Sequence, residues 1–481
     1  MVALSPITKL SREGWLALSL IFVLSILLRI WAVGGDLWID EVWSLNQIDL
    51  ARSSENTKDW LALFFHSNTH ALNSLYLAVV GPGETNFLYR LLSLTSGIAS
   101  VVVAVWIGAR QSVATAVIAA ILFGLCYPLI NYSGEARGYG PMLLCALLCY
   151  VFLEKYLTDR AISDLAGFVF LSVVGVMAHL TFGVVLAGMG FWAAARIYSE
   201  QDNVIKVMAR LVPLFGAQLI YLTAFGAIAL NNMVRGGDCC PEPAVPSLRI
   251  MTYWTFGIDA DQVKSVIPLI MLAAIVLVMV YRQFKMNMTV WVFYTVVIFL
   301  FPLIVIAVET DPQVIHRYFL PTTLFGLLII TLGLGEAWDS GGKMKAISVF
   351  LVAGFIVGQS WLLTNFGNGG RGQYGKVVDT ITSSSSGPQR ISGYPTFSVG
   401  SVFEYQTKYL KVDERLEFVP TKSEAPIPAD WFINGYLYGK PAVPVIQRKI
   451  EGRSSVSYRL VGFFPQWGLS GDSWALYQRE D

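Results

Sequence analysis

Apolar runs of close to twenty residues recur along most of the chain, separated by short polar or charged stretches, and the alternation stops near residue 365. The first run covers about Trp15 to Val33. Others follow at about 88–108, 112–131, 139–157, 165–181, 182–198, 211–230, 263–281, 289–308, 319–338 and 346–364. Each approaches the roughly 20 residues that a helix needs to cross a bilayer core, which predicts about eleven spans. The pair at 165–198 is the least well separated, since only His179-Leu-Thr-Phe-Gly183 parts two short runs. No small-residue cleavage site follows the first run, so it reads as a retained span rather than a signal peptide.

Charge orients the bundle. Lys9 and Arg12 precede the first run, and threading the spans from a cytoplasmic start puts Arg110, Lys155, Arg160, Arg196, Lys206, Arg210, Arg282, Lys285, Lys343 and Lys345 on the cytoplasmic side. That agrees with the positive-inside rule. The stretch 34–87 then faces outward and, being amphipathic and Trp-containing, suits helices lying along the interface. The connections at 131–138, near His179, at 231–262 and at 309–317 face the same way, so that with 34–87 they carry all four histidines.

The last quarter of the chain is different. A Gly/Ser-rich linker, with Gly-Asn-Gly-Gly-Arg-Gly at 367–372 and four serines at 383–386, leads into alternating helical and β-rich patterns. Helices are expected at about Gln373–Thr382 and Ser401–Leu410, and strands at Arg390–Gly393, Arg415–Val419, Trp431–Asn434, Val456–Phe463 and Trp474–Tyr477. The expected organisation is a transmembrane domain over 1–364 followed by a small extracytoplasmic α/β domain over 365–481. No titratable cluster stands out in the tail, which suits acceptor contact or structural support.

Composition agrees with this reading. The 481 residues are 55% hydrophobic and only 14% charged, with a net charge of +1 and a mean hydropathy of +0.57. Soluble domains carry about 25% charged residues. Nucleic acid is not a sensible partner for so neutral a chain. Cys126, Cys145 and Cys149 lie in apolar runs, whereas Cys239 and Cys240 are vicinal in an outward loop and could pair in an oxidising compartment only through a strained ring.

Chemistry should sit on the outer side, because the cytoplasmic connections are short and hold no nucleotide fingerprint. Asp40 and Glu41, between Trp38 and Trp43, place two carboxylates just beyond the first span. They could cap a juxtamembrane helix, or serve as a general base toward an acceptor hydroxyl. In Asn131-Tyr-Ser-Gly-Glu-Ala-Arg-Gly-Tyr139, Arg137 offers a fork of donors for a phosphate, with Glu135 able to orient it; the plain alternative is a surface turn with an exposed ion pair. His316 and Arg317 suit the phosphate of a lipid, or Arg317 snorkels to the interface. His66-x-x-x-His70 has a spacing that metals accept but lacks a clear third ligand, so no metal site is predicted. A weakly held Mg²⁺ or Mn²⁺ near the carboxylates stays open.

In their order and common side these motifs resemble the GT-C glycosyltransferases, in particular the protein O-mannosyltransferase and aminoarabinose transferase group. The motifs are the outward Asp-Glu pair, His70-Ala-Leu-Asn-Ser-Leu-Tyr76, Arg90-Leu-Leu-Ser93, Ser-Gly-Glu-Ala-Arg-Gly-Tyr and His-Arg-Tyr-Phe. The resemblance covers about the first 360 residues, and the tail is similar to the extracytoplasmic domain that many members carry. It implies a membrane glycosyltransferase that uses a polyprenyl-phosphate-linked sugar, requires no cofactor, and acts on a glycan, lipid or protein acceptor at the outer face of the inner or plasma membrane. Asp40 would be the catalytic base with Glu41 beside it. Glu135, Arg137, His70, His179, His316 and Arg317 would serve the donor phosphate or substrate. Many relatives have His-Pro-Pro-Leu-Tyr where this chain has His-Ala-Leu-Asn-Ser-Leu-Tyr, so the first outward loop departs from the pattern. The competing expectation is a secondary transporter or lipid-linked-sugar flippase, which would place its polar groups near the midplane in two repeated halves.

Overall fold

A computed structural model of the chain describes residues 12–56, 59–60, 70–201, 203–229, 243–309, 314–385, 387–411, 415–420, 428–436, 442–448 and 455–480. His66, Cys239 and Cys240 lie outside the described residues. Among the described residues, nine helices are long and apolar enough to cross a membrane, and ten if a bent pair counts as one span. The protein is a polytopic helical membrane protein.

Every expected apolar run is helical, and the difference from eleven spans falls on the least separated pair. Ile162–Ala178 has 17 residues, at the short limit of the roughly 17–25 a span uses. Its neighbour, Phe182–Gln201, is a full-length span. Arg160, just before the short helix, pairs with Glu200 at the end of that neighbour. His179 stands at the opposite end of both. The short helix therefore runs the same distance as the helix it packs against.

The bent pair is Val113–Leu125 and Tyr127–Ser133, which meet at 59°. Pro128 in the first turn of the second piece fits a helix start, where its missing N–H costs nothing. A break inside an apolar bundle strands carbonyls that no water can reach. Arg29, fully buried in Arg12–Val33, answers them by donating to Phe123 O and Gly124 O, both at 2.9 Å. It also donates to Ser25 Oγ at 2.7 Å in its own helix. Across the break, Gln359 Oε1 accepts from the Tyr127 N–H at 2.7 Å while its amide nitrogen donates to Trp254 O and Thr255 O. An intramembrane charge is thus used to hold a bend.

Beyond the helix Gly342–Gly369 the chain forms two helices, Tyr374–Ser384 and Thr396–Tyr409, and six strands. The strands are β1 (Gln389–Tyr394), β2 (Leu416–Phe418), β3 (Trp431–Tyr436), β4 (Val445–Arg448), β5 (Val456–Phe464) and β6 (Ser473–Arg479). They make one sheet in the order β2-β1-β3-β6-β5-β4, parallel around β1 and antiparallel elsewhere. Five of the strands and both helices fall where the sequence pattern puts them; β4, short and preceded by Pro441 and Pro444, does not show in that pattern.

The sheet layer does not stand apart from the segment that follows the first span. Leu37, Trp38, Val42, Leu45 and Ile48 share one buried apolar cluster with Val377, Ile381, Val399, Trp431, Trp474 and Leu476. The helix Ile39–Ser53 is thereby held from the C-terminal side as well as from the bundle.

Arg29→Leu should orphan the Phe123 and Gly124 carbonyls, at about 1–3 kcal/mol for each buried group. The expected outcome is a clearly lower thermal unfolding temperature in detergent. An unchanged transition would remove Arg29 from the support of the bend.

Candidate functional site

Trp38 precedes the helix Ile39–Ser53, with Asp40 and Glu41 in its first turn, where a helix N-terminus favours acids. Successive residues on a helix point about 100° apart, so the two carboxylates look in different directions.

Glu41 turns inward and is completely buried. Arg90 grips it with two hydrogen bonds, Nε to Oε1 at 2.8 Å and Nη2 to Oε2 at 2.6 Å. The backbone N–H groups of Ala136 (2.6 Å) and Trp38 (3.2 Å) donate to it as well. Burial pushes the carboxyl up, but the Arg90 charge and hydrogen bonds outweigh it and hold Glu41 below the ordinary carboxylate range. Arg90 spends its other hydrogens on the carbonyls of Val33, Gly35 and Asp36. With both oxygens engaged, Glu41 fixes the path of the chain and is not free beside Asp40, where the sequence reading placed it.

The turn Glu135–Gly138 is fixed with equal care. Ala136 O accepts from Asn73 Nδ2 (2.7 Å) and Arg137 O from Ser93 Oγ (2.6 Å), and His70 Nδ1 packs 2.9 Å from the Gly138 nitrogen. A Cβ on Gly138 would lie 1.8 Å from Ala178 O, so only glycine fits. Glu135 does not orient Arg137, as the sequence suggested. It accepts from Asn131 Nδ2 at 2.9 Å and pairs with Arg371 at 3.4 Å. Burial raises its carboxyl above the ordinary range, with Arg371 working against that. Arg371 also donates to Ala32 O (2.6 Å) and Asn131 O (2.5 Å), tying the linker to the first span and to the bent pair.

These anchors leave Asp40 facing two guanidinium groups. Arg317 Nη2 lies 3.0 Å and Arg137 Nη2 3.8 Å from the same oxygen, Oδ2. Arg137 is aimed by Ser44 Oγ (2.8 Å), Asp40 O (3.2 Å) and His70 Nε2 (2.7 Å). Arg317 lies over the ring of Trp38, 5.4 Å from its centroid. Asp40 is 9% exposed, so it is reachable where Glu41 is not.

The three expected histidines among the described residues separate. His70 and His179 stack edge to face with ring centroids 4.6 Å apart, beside Tyr139. Burial, then the Arg137 charge, drives His70 well below its usual value and His179 down to about 3, so both rings are neutral. They position Arg137 and add no cationic charge. His316 turns away from Asp40 and donates from Nε2 to Leu469 O at 2.9 Å, leaving Arg317 as the member of that pair that reaches the carboxylate.

Leu469 belongs to the connection between β5 and β6, which enters the bundle at the site. Trp467 stacks on Trp254 with centroids 5.3 Å apart, and Tyr127 Oη accepts from the Leu469 N–H at 3.2 Å. The Asp472 N–H donates to Tyr374 Oη at 2.8 Å. This part of the tail does not show in the sequence pattern, because a Gly/Ser-rich loop with one acid carries no periodic signal. Arg90 and Arg371 were visible only as an arginine inside an apolar run and a single arginine among glycines.

Among the described residues no group of three His, Cys, Asp or Glu side chains is arranged to hold a metal ion. The two arginines on Asp40 Oδ2 do not fit a divalent cation there, since they would repel it.

No family model matches the chain, and no curated protein matches it. Among solved structures it is similar to the crystal structure of ArnT from Cupriavidus metallidurans bound to undecaprenyl phosphate. The sequence identity is 11%, the match covers 88% of this chain and 94% of that one, and the TM-score is 0.49.

Arg90→Ala leaves Glu41 buried without its cation, a change that typically costs 3–5 kcal/mol, so roughly that loss of stability is expected. Arg90→Lys should recover only part of it, because an ammonium cannot make the two-point contact. Thermal unfolding of both variants in detergent checks this; an alanine variant as stable as the parent would show that the pair holds nothing together.

Proposed function

We propose that this protein is an integral-membrane glycosyltransferase that moves a sugar, with inversion, from a polyprenyl-phosphate carrier to an acceptor hydroxyl on the extracytoplasmic face. The observation that supports it most is Asp40 held against Arg137 and Arg317, at the end of the bundle where the non-basic connections meet. Inverting transfer needs a base on the attacking hydroxyl and cationic donors on the departing phosphate. Here both lie within one buried cluster.

Asp40 takes the acceptor proton as the acceptor oxygen bonds to the anomeric carbon. The bond from that carbon to the phosphate oxygen breaks, and its electron pair leaves on the phosphate, where Arg137 and Arg317 meet it with charge-assisted hydrogen bonds. Both arginine contacts in the resting site are to Oδ2. An incoming phosphate competes for Arg317, so donor binding and release of the base are one event. His70 holds Arg137 in place throughout, and Glu41 and Glu135 act only by fixing the backbone that carries the reacting groups.

The outward placement of the site rests on charge. The opposite end of the bundle carries short basic connections, with ion pairs Arg110–Glu154, Arg160–Glu200 and Arg282–Glu336, in keeping with a cytoplasmic face. No nucleotide sugar is expected on the outer side, and a lipid carrier can deliver an activated sugar from within the bilayer. The flippase reading would need charges along a path through the bundle; buried Arg29 is instead committed to the helix bend.

Asp40→Asn should lower sugar transfer by about 10²–10⁴-fold, the usual contribution of a general base, while the purified protein keeps its unfolding temperature. Radiolabelled transfer from a polyprenyl-phosphate sugar, set beside flux of the same lipid in sealed vesicles, checks both claims. Near-parental turnover in the variant removes Asp40 as the base; flux without transfer replaces the enzyme with a flippase.

A further inference from the structure

Asp40 shares its side of the helix Ile39–Ser53 with two residues that the transfer chemistry does not use. With about 100° between successive residues, Trp43 lies about 60° from Asp40 on the side away from Glu41, and Gln47 returns close to the Asp40 direction two turns on. Residues three apart on a helix sit roughly 5–6 Å from one another at Cβ, so the indole of Trp43 borders the carboxylate. Glu41 points to Arg90 and the turn at Ala136, whereas Trp43 points to the C-terminal layer. There its ring meets Phe397 edge to face, with centroids 5.6 Å apart and planes at 79°. Phe397 stands in the first turn of the helix Thr396–Tyr409. Val399, Val402 and Phe403 of that helix share a buried cluster with Val42, Leu45 and Ile48, and Lys408 near its far end pairs with Asp49 at 3.8 Å. The place of Phe397 beside Trp43 is thus set at both ends of the contact. Phe397 is nonetheless 56% exposed and Trp43 only half-buried, which leaves aromatic surface open next to the candidate base.

We propose that Trp43 and Phe397 bind the acceptor, and that the acceptor is a carbohydrate whose pyranose ring packs on these aromatic rings while one of its hydroxyls reaches Asp40. This rests on the transfer reading above. A pyranose is apolar on its faces, where C–H bonds project, and polar around its edge. The negative face of an aromatic ring attracts such C–H groups, and the Gln47 amide on the Asp40 side of the helix offers both a donor and an acceptor to hydroxyls at the edge. An acyl chain needs a continuous apolar strip, but Trp43 is followed along its helix by the polar Ser44, Asn46 and Gln47. A charged headgroup needs an opposite charge, and those nearby are spent, Lys408 on Asp49 and the two arginines on Asp40. A peptide brings main-chain amides that rings cannot pair. The C-terminal layer then supplies part of the acceptor site, in addition to holding the helix that carries the base.

The test is saturation-transfer NMR on the full-length protein in phosphatidylcholine nanodiscs, with methyl glucopyranoside, methyl mannopyranoside, a serine-containing tripeptide and glycerol phosphate as probes, and with the Kd for undecaprenyl phosphate measured alongside. The glycosides should receive saturation, strongest on the hydrogens of one ring face, and the tripeptide and glycerol phosphate should not. Trp43→Ala and Phe397→Ala should each weaken glycoside binding about tenfold, the order of one lost aromatic contact, and Trp43→Phe should recover most of it. All three variants should keep the parental Kd for undecaprenyl phosphate and the parental unfolding temperature. Several results overturn the proposal alone while undecaprenyl phosphate still binds the parent: no glycoside saturation, saturation of the tripeptide or glycerol phosphate instead, or glycoside binding that survives both alanine variants. Loss of undecaprenyl phosphate binding in the alanine variants makes the two rings structural and overturns it as well. A parent protein that binds no undecaprenyl phosphate overturns it together with the transfer reading.

Discussion

The site depends first on a pair that takes no part in its chemistry. Glu41 and Arg90 lie buried face to face, and the carbonyls of Val33, Gly35 and Asp36 close around the same guanidinium. A buried ion pair is poor evidence of net stability, because desolvation offsets most of the attraction. What this one provides is direction. The end of the first span, the start of the helix Ile39–Ser53 and the turn at Ala136 are all referred to one fork of donors. Once Glu41 is drawn inward, the helix geometry leaves Asp40 pointing at Arg137 and Arg317.

Arginines divide between construction and chemistry by what surrounds them. Arg29, Arg90 and Arg371 are surrounded by main-chain carbonyls that helix ends and turns leave unsatisfied, and in an apolar bundle such groups have few other partners. Arg137 and Arg317 meet mainly side chains, and their carboxylate partner is partly open. The neutral histidine pair beside Arg137 shows the same economy of charge: burial near two guanidinium groups removes their protons, and they remain as shaped acceptors.

Much of the architecture was legible in the sequence because bilayer thickness and strand pleat impose lengths and periods on it. The apolar runs and five of six strands needed nothing more, whereas Ile162–Ala178 and β4 were uncertain or missed because each is too short to show a period. Asp40, Arg137 and Arg317 stood out as charges at span ends. Their partners did not. Glu135 chose Arg371, far along the chain, over its near neighbour Arg137, and only three-dimensional packing decides such a choice.

The insertion of the β5–β6 connection has a consequence for biogenesis. Because β6 follows directly after this connection and forms the centre of the sheet with β3 and β5, the loop can settle only when β6 has been made. Every span must already be in the membrane by then. The candidate site near the first span therefore waits, incomplete, until a strand far along the chain has joined the sheet.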